Sequence, residues 1–515
     1  MSSSLTLLAD SFDTFFLGWA AVLVFSMQLG FCCLECGSVR SKNVKNILFK
    51  NLTDAAVAGI MFWMIGYSFS YGTNMNGNGF IGGGSNYFVS TRDYALFFFQ
   101  WAFSATAVSI VSGSVAERCT LIAYLGYCLL LTGVVYPCVV YWVWSDGGYL
   151  SLFRTDVNVG VIDFAGSGVV HLTGGVAAFV ACSILGPRTG RLNLSLKPHH
   201  HYYLNYQSSL SLSNFIRFTS TTKISPHSEP LQAMGVFFLW IGWFGFNGGS
   251  VLALSGEFQA QIFGRVLVCT MLAASSSIIM GVLFSMLHRY NVGFAVPMNC
   301  CLAGLVSVTA GCSVIEPWAS IIIGAIGAIC YRVWSLLMKR MQIDDVVDAV
   351  AVHGAAGIWG LVAASLFSKL EFFEQVYGQQ FGNFGRGAFY GGDGQLLGYA
   401  IALALSIQAF VGVSMFIYFG AMKSLNALRV SVEDEEKGLD VSHHGGPSYA
   451  SGSDSSSSFP SLDAALAANF DAALATLKSN DSAPLSQSSA GESKQDIDTI
   501  PAKDESVDGI RIDRR

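Results

Sequence analysis

Two stretches, VIDFAGSGVVHLTGGVAAFVACSILG (161–186) and VVDAVAVHGAAGIWGLVAASLFS (346–368), decide how this chain folds. Each is apolar over the roughly 20 residues that a helix needs to cross a bilayer, yet each carries one histidine, His171 or His353. An ionisable side chain at membrane depth is costly and marks a polar task. One such histidine alone is most simply a hydrogen-bond partner for a neighbouring helix. Two at matching depth favour a shared function.

Working outward, the 515-residue chain is 52% hydrophobic and 12% charged. Apolar runs of spanning length fall at about 14–35, 51–72, 94–115, 120–144, 161–184, 231–252, 260–287, 294–312, 314–335, 346–369 and 396–421. The expected fold is therefore an all-α membrane protein of eleven transmembrane helices. Of the Lys and Arg residues before 422, fourteen fall in one set of alternating loops and five in the other. By the positive-inside rule the N-terminus is outside and the C-terminus inside. The first span has no basic leader and no small-residue cleavage site, so it reads as a retained helix.

The twelve cysteines lie mostly within spans, and Cys32, Cys33 and Cys36 fall at the expected cytosolic end of the first. That pattern points to packing, not to disulfides or zinc. Many of the 55 glycines also lie within spans, as in GWFGFNGGS (242–250), where small residues let helix backbones approach closely.

The two histidine spans are five apart, so they run in opposite directions. Spans one to five and six to ten are expected to be inverted repeats, followed by an eleventh helix, with the functional site at the repeat interface near the midplane. At 1.5 Å per residue both imidazoles lie roughly 10–15 Å deep and within reach of each other. Asp163 and Asp348 stand near the starts of the same helices, where a carboxylate caps the helix and complements its dipole. Phe103, Trp144, Phe246 and Ser250 gather at the outer ends of other spans. Their ring faces and hydroxyl suit a cation, at about 0.5 to 2 kcal/mol per ring; an interfacial aromatic belt is the plainer alternative.

FQWAF (99–103), GWFGFNGGS (242–250), DFAGSGVVHLTGG (163–175) and DAVAVHGAAGIWG (348–360) together resemble the ammonium transporter, methylammonium permease and Rhesus protein family, with DFAGSGVVH nearest the plant-type ammonium transporter branch. The resemblance covers about residues 14–450. It implies a homotrimer with one pore per subunit. It implies that Trp144, Phe103 and Ser250, with Tyr136, recruit ammonium or methylammonium. Phe103 and Phe246 would close the pore, His171 and His353 would line it and relay protons, and Asp163 would order the site.

The physics agrees with that expectation. A bare cation in an apolar bore costs many kcal/mol, whereas neutral ammonia carries only a smaller polar penalty. A pore that sheds the proton outside and relays it through imidazoles avoids the cost and rejects potassium, which has no proton to surrender. The expected activity is therefore high-affinity-type ammonium uptake, without enzymatic chemistry, cofactor, metal or nucleic-acid partner. The alternatives are a Rhesus-like neutral gas channel and an ammonium sensor signalling through its tail.

The expected division is a transmembrane domain (1–421), a cytosolic regulatory segment (422–450) and an acidic, Ser-rich, largely disordered tail (451–515). Residues 422–515 hold 9 Lys and Arg against 16 Asp and Glu. EDEEKGLDVSHHGGPSYA (433–450) resembles the family's segment that packs beneath a neighbouring pore, and within it GLDVSHHGG (438–446) resembles the context of a phosphorylatable threonine in the plant-type branch, which implies Asp440 and Ser442 as regulatory residues and Ser442 as the target of a kinase. LDAALAANFDAALATL (462–477) has helical periodicity, a marginal element within that tail. The loop 187–230 carries HHH at 199–201 without a partner ligand pattern for a metal, and its N-L-S at 193–195 is expected in the cytosol, where it is not glycosylated. The multi-pass chain is expected in the plasma membrane.

Overall fold

Lipid offers no hydrogen bonds, so an apolar segment crossing it must satisfy its own backbone, and a helix does so within one segment. The computed structural model describes residues 3–73, 79–84, 87–89, 93–154, 156–191, 224–287 and 294–449. Among these, the long elements are all helices, and extended pairing is confined to the isolated bridges Thr73–Gly83 and Cys119–Arg429.

The long helices in chain order are α1 (Ser4–Ser38), α2 (Ser41–Tyr71), α3 (Tyr94–Ser114), α4 (Leu121–Trp144), α5 (Ser167–Leu185), α6 (Glu229–Gly249), α7 (Gln259–Leu287), α8 (Ala295–Thr309), α9 (Pro317–Arg340), α10 (Val350–Phe367) and α11 (Gln395–Ser424). Among the described residues nine are long and apolar enough to cross a membrane, not the expected eleven. The two outside that set are α6 and α8. Glycines and polar residues dilute the apolar character of α6. α8 has 15 residues, about 22 Å of helix, which is short of a hydrocarbon layer about 30 Å thick.

Small residues set the crossings. A Cβ on Gly235 of α6 would stand 2.4 Å from the Leu34 nitrogen of α1, and one on Gly175 of α5 would stand 2.4 Å from the Gly354 nitrogen of α10. The first helices of the two groups of five thus touch each other, as do the last. In α4, Pro137 offers no N–H to the carbonyl of Gly133, and the helix widens over Leu131–Val135.

The expected 199–201 histidine tract, the 193–195 site, the helix 462–477 and the tail 451–515 lie outside the described residues.

Candidate functional site

Both histidines sit in wide turns that open their helices, Ser167–Leu172 in α5 and Val350–Ala355 in α10. In the first, the His171 N–H donates to the Gly166 carbonyl, 3.1 Å away and five residues back. Gly166 has φ +106°, a conformation that glycine adopts without a steric penalty. A carboxylate holds each turn. Asp163 Oδ2 accepts the N–H groups of Gly168 and Val169 at 3.0 and 2.8 Å. Asp345 Oδ2 accepts that of Val350 at 2.8 Å.

The cap expected of Asp348 is therefore made by Asp345. Asp345 precedes His353 by the same eight residues that separate Asp163 from His171. Asp348 has φ +57°, and its carboxylate accepts the hydroxyls of Tyr331 and Ser335 on α9 at 3.1 and 2.9 Å.

The Nδ1 atoms of His171 and His353 are 3.2 Å apart. One ring must donate there while the other accepts, and either arrangement of the proton satisfies the pair. His171 is fully buried, yet its Nε2 has no protein partner. Its ring lies against Trp243, with centroids 5.0 Å apart and planes at 20°. Trp243 is fixed by its Nε1–H, which donates to Thr309 Oγ1 at 2.9 Å. Nothing in the sequence marks this tryptophan out from the other aromatic residues of GWFGFNGGS.

Above the pair, Phe246 is 5.4 Å from His171 between centroids and stacks on Phe103 at 3.9 Å and 17°. Phe103 in turn meets Trp144 edge-on at 5.9 Å. Trp144 Nε1 donates to the Asp163 carbonyl oxygen at 2.8 Å, tying the ring to the start of α5. Trp144, Phe103, Ser250 and Asp163 line one cavity, joined by Gln100 and Tyr377. Ser250 donates its hydroxyl hydrogen to the Phe246 carbonyl at 2.9 Å, which leaves its oxygen free to accept. Tyr136 is fully buried and does not line that cavity.

At the opposite end, charges staple the two histidine helices together. Arg188, just past α5, binds both carboxylate oxygens of Asp344, just before α10, at 2.8 and 3.0 Å, and reaches Glu117 at 2.9 Å. Burial alone would raise the Asp344 carboxyl, but the Arg188 hydrogen bonds and the nearby Arg118 hold it well below the usual carboxylate range.

The segment 428–449 lies on this same face. Glu435 binds Arg429 at 2.7 Å and the Thr189 N–H at 2.6 Å. Lys42 caps the carbonyls of Glu435 and Glu436. Asp440 is fully buried and accepts the Asn46 N–H at 3.0 Å and the Ser448 hydroxyl at 2.5 Å. Ser442 is half-buried and donates to the Gly438 carbonyl at 3.2 Å.

A bundle of apolar helices around a narrow column of rings and imidazoles defines a pore-type membrane transport protein. More particularly, the chain belongs to the Ammonium Transporter Family, whose profile matches residues 14–206 and 213–449. It is 38% identical over 462 residues to Ammonium transporter 1 member 3 of Solanum lycopersicum, covering 85% of this chain and 93% of that one. Its fold is similar to that of a solved Sensor Amt Protein, with TM-score 0.71 and 28% identity over 85% of this chain and 99% of that one. It also resembles Candida albicans Mep2, with TM-score 0.66 and 25% identity over 82% and 87% of the two chains. The protein is a multi-pass membrane protein.

Proposed function

We propose that the protein takes up ammonium across the plasma membrane and moves it as ammonia through the column of rings, with the proton relayed separately. The single observation that carries this reading is the 3.2 Å contact between His171 and His353 directly beneath the Phe103–Phe246 stack. Ammonium is drawn to the cavity of Trp144, Phe103 and Ser250 by ring faces and a hydroxyl oxygen. Below it the bore is apolar apart from the imidazoles, so the cation sheds its proton before entering. The unpartnered His171 Nε2 meets the solute that passes the phenyl rings, and the shared Nδ1 contact lets a proton shift between the two imidazoles.

In this reading all eleven long helices lie in the membrane, with the N-terminus outside and segment 428–449 in the cytosol. The protein works as a homotrimer with one pore per subunit. Asp163, at the wall of the outer cavity, and Asp345 act by ordering the wide turns. Segment 428–449 regulates the pore, and a kinase acts on Ser442. The test is voltage-clamp recording with ammonium, methylammonium and potassium. Saturable inward current with the first two and none with potassium is the expected result. Ammonia-driven pH change without any current would instead mean a neutral gas channel.

A further inference from the structure

The column leaves unexplained a set of ionisable side chains buried beside its inner half. Glu35 on α1 is 1% exposed, and Asp54 and Lys50 on α2 are 0% and 1% exposed. Taking such groups out of water is expensive, and within membrane spans they mark ion or proton pathways. Glu35 accepts the hydroxyl of Ser112 on α3, and its other oxygen accepts Asn51 Nδ2 at 3.0 Å. Asp54 accepts Tyr124 at 2.7 Å and Ser109 at 3.4 Å. Lys50 donates to the Cys119 carbonyl at 2.7 Å, so its ammonium forms no direct ion pair with either carboxylate.

Two further observations point to traffic and not only to packing. Glu35, Ser109 and His353 line the same small cavity, closed by Phe31, Leu34 and Val347. Leu34 and Val347 also line the larger pocket between Arg188, Lys339 and Asp345, so the small cavity abuts the mouth at the far end of the column from Trp144. Moreover, Asp54 Oδ1, Asn51 Oδ1 and Gln28 Nε2 are buried and have no protein partner, as befits groups that meet a transient proton carrier. The position of Glu35 follows from the backbone of α3. A Cβ on Gly113 would stand 3.1 Å from Glu35 Oε1 and 2.5 Å from Val347 Cγ2, so the absent side chain leaves the space the carboxylate occupies.

We propose that Glu35 is the inner proton acceptor of the column, taking the proton that the histidine pair carries and releasing it into the cytosolic mouth. This rests on the twin-histidine relay proposed above. In the first transfer an N–H bond of protonated His353 breaks and an O–H bond forms on Glu35, directly or through a water molecule in the shared cavity. The electron pair stays on nitrogen, and nothing is oxidised or reduced. In the second the Glu35 O–H proton passes to water in the mouth and the carboxylate is restored. The ionisable groups around Glu35 are Lys50 and Asp54 from α2 and Tyr124 from α4, with Cys32 beside it on α1 and His353 across the cavity from α10. Ser112 and Asn51 position the carboxylate.

The full-length protein is reconstituted in liposomes, and charge movement is recorded alongside uptake of labelled methylammonium. The readout is charge moved per labelled molecule, which a purely structural loss does not change. Glu35→Gln is expected to lower this ratio at least threefold, and Glu35→Asp to restore more than half of it. If Glu35→Gln does not fold, Glu35→Met, of similar length and needing no hydrogen-bond partner, takes its place in the same measurement. A wild-type ratio in the folded Gln or Met variant overturns the proposal for Glu35, provided that wild type carries current and His353→Ala alters the ratio. Absence of current in wild type, or an unchanged ratio in His353→Ala, overturns the relay itself, and the Glu35 proposal with it.

Discussion

Gly175 of α5 and Gly354 of α10 meet backbone to backbone, so closely that a Cβ on Gly175 would stand 2.4 Å from the Gly354 nitrogen. This crossing lies four residues beyond His171 and one beyond His353, and it brings the two imidazoles into contact. Gly175→Ala places a methyl group against backbone that cannot rotate away. Overpacking of this kind costs about 1 to 3 kcal/mol. The expected outcome is a lower thermal midpoint in detergent together with loss of transport current. A wild-type midpoint would show that the crossing has slack.

His171→Ala and His353→Ala each remove one partner of the 3.2 Å contact and widen the bore. Reduced ammonium flux, or a new potassium leak, is expected in each. Normal current and normal selectivity in both single variants would sink the relay.

Trp144→Leu keeps apolar bulk but removes the ring that meets Phe103 edge-on. The lost cation contact is about 0.5 to 2 kcal/mol, and the upper value means a roughly thirtyfold rise in half-saturation concentration. An unchanged half-saturation concentration would assign Trp144 to the interfacial belt.

Nine of the eleven expected spans were legible because apolar length is a local property, and the meeting of the histidines followed from depth and direction alone. The capping carboxylate was not. DDVVD (344–348) offers three aspartates, and which one faces the orphaned N–H groups depends on backbone turns that no pattern of residue types declares. Asp348 takes φ +57° and turns toward Tyr331 and Ser335, leaving Asp345 to the helix. The Glu35–Asp54 set was likewise hidden, because its members are dispersed over α1 to α4 and each, taken singly, resembles a polar residue at a helix end. In the sequence Trp243 is one apolar residue among glycines; only the flat contact with His171 gives it a role.

The Glu435 anchor of segment 428–449 is expected to be indifferent to pH across the physiological range. Burial raises the Glu435 carboxyl, but its bonds from Arg429 and the Thr189 N–H more than offset this and leave it below its ordinary value. A carboxylate with a depressed value contributes stability that is complete above its unfolded pKa of about 4.3 and fades as pH falls through the lower folded value. Hydrogen exchange of residues 432–443 is therefore expected to show the same protection factors between pH 7 and 8, with a loss of less than tenfold toward pH 6, because the His444 imidazole, which meets Asn46 Nδ2 at 2.9 Å and which burial holds below its ordinary value, takes up a proton more readily in the released segment. Glu435→Gln is expected to weaken protection at every pH, by about 1.5 to 3 kcal/mol for hydrogen bonds to a charged group. A protection factor that changes tenfold between pH 6 and 8 in wild type would require another titrating anchor.

Phosphorylation of Ser442, as proposed above, would bring the attachment of segment 428–449 under control. The Ser442 hydroxyl donates to the Gly438 carbonyl, two residues from the buried Asp440 that receives Asn46 and Ser448. A phosphate there adds about −1.5 to −2 charges. It removes the hydroxyl donor and sets like charge near a carboxylate buried from solvent. Repulsion and desolvation then favour release of the segment from Lys42, Lys45 and Asn46, which hold it at Glu435, Gly446 and Asp440. If the released segment also supports the next subunit of a trimer, one modified tail closes more than its own pore. Ser442→Asp at wild-type surface level is expected to lose most of its current, while Ser442→Ala keeps it. On co-expression of the Asp form with wild type, current is expected to fall more steeply than in proportion to the wild-type fraction. Near-normal current from Ser442→Asp alone would remove the switch, and strictly proportional loss on mixing would confine it to the modified subunit.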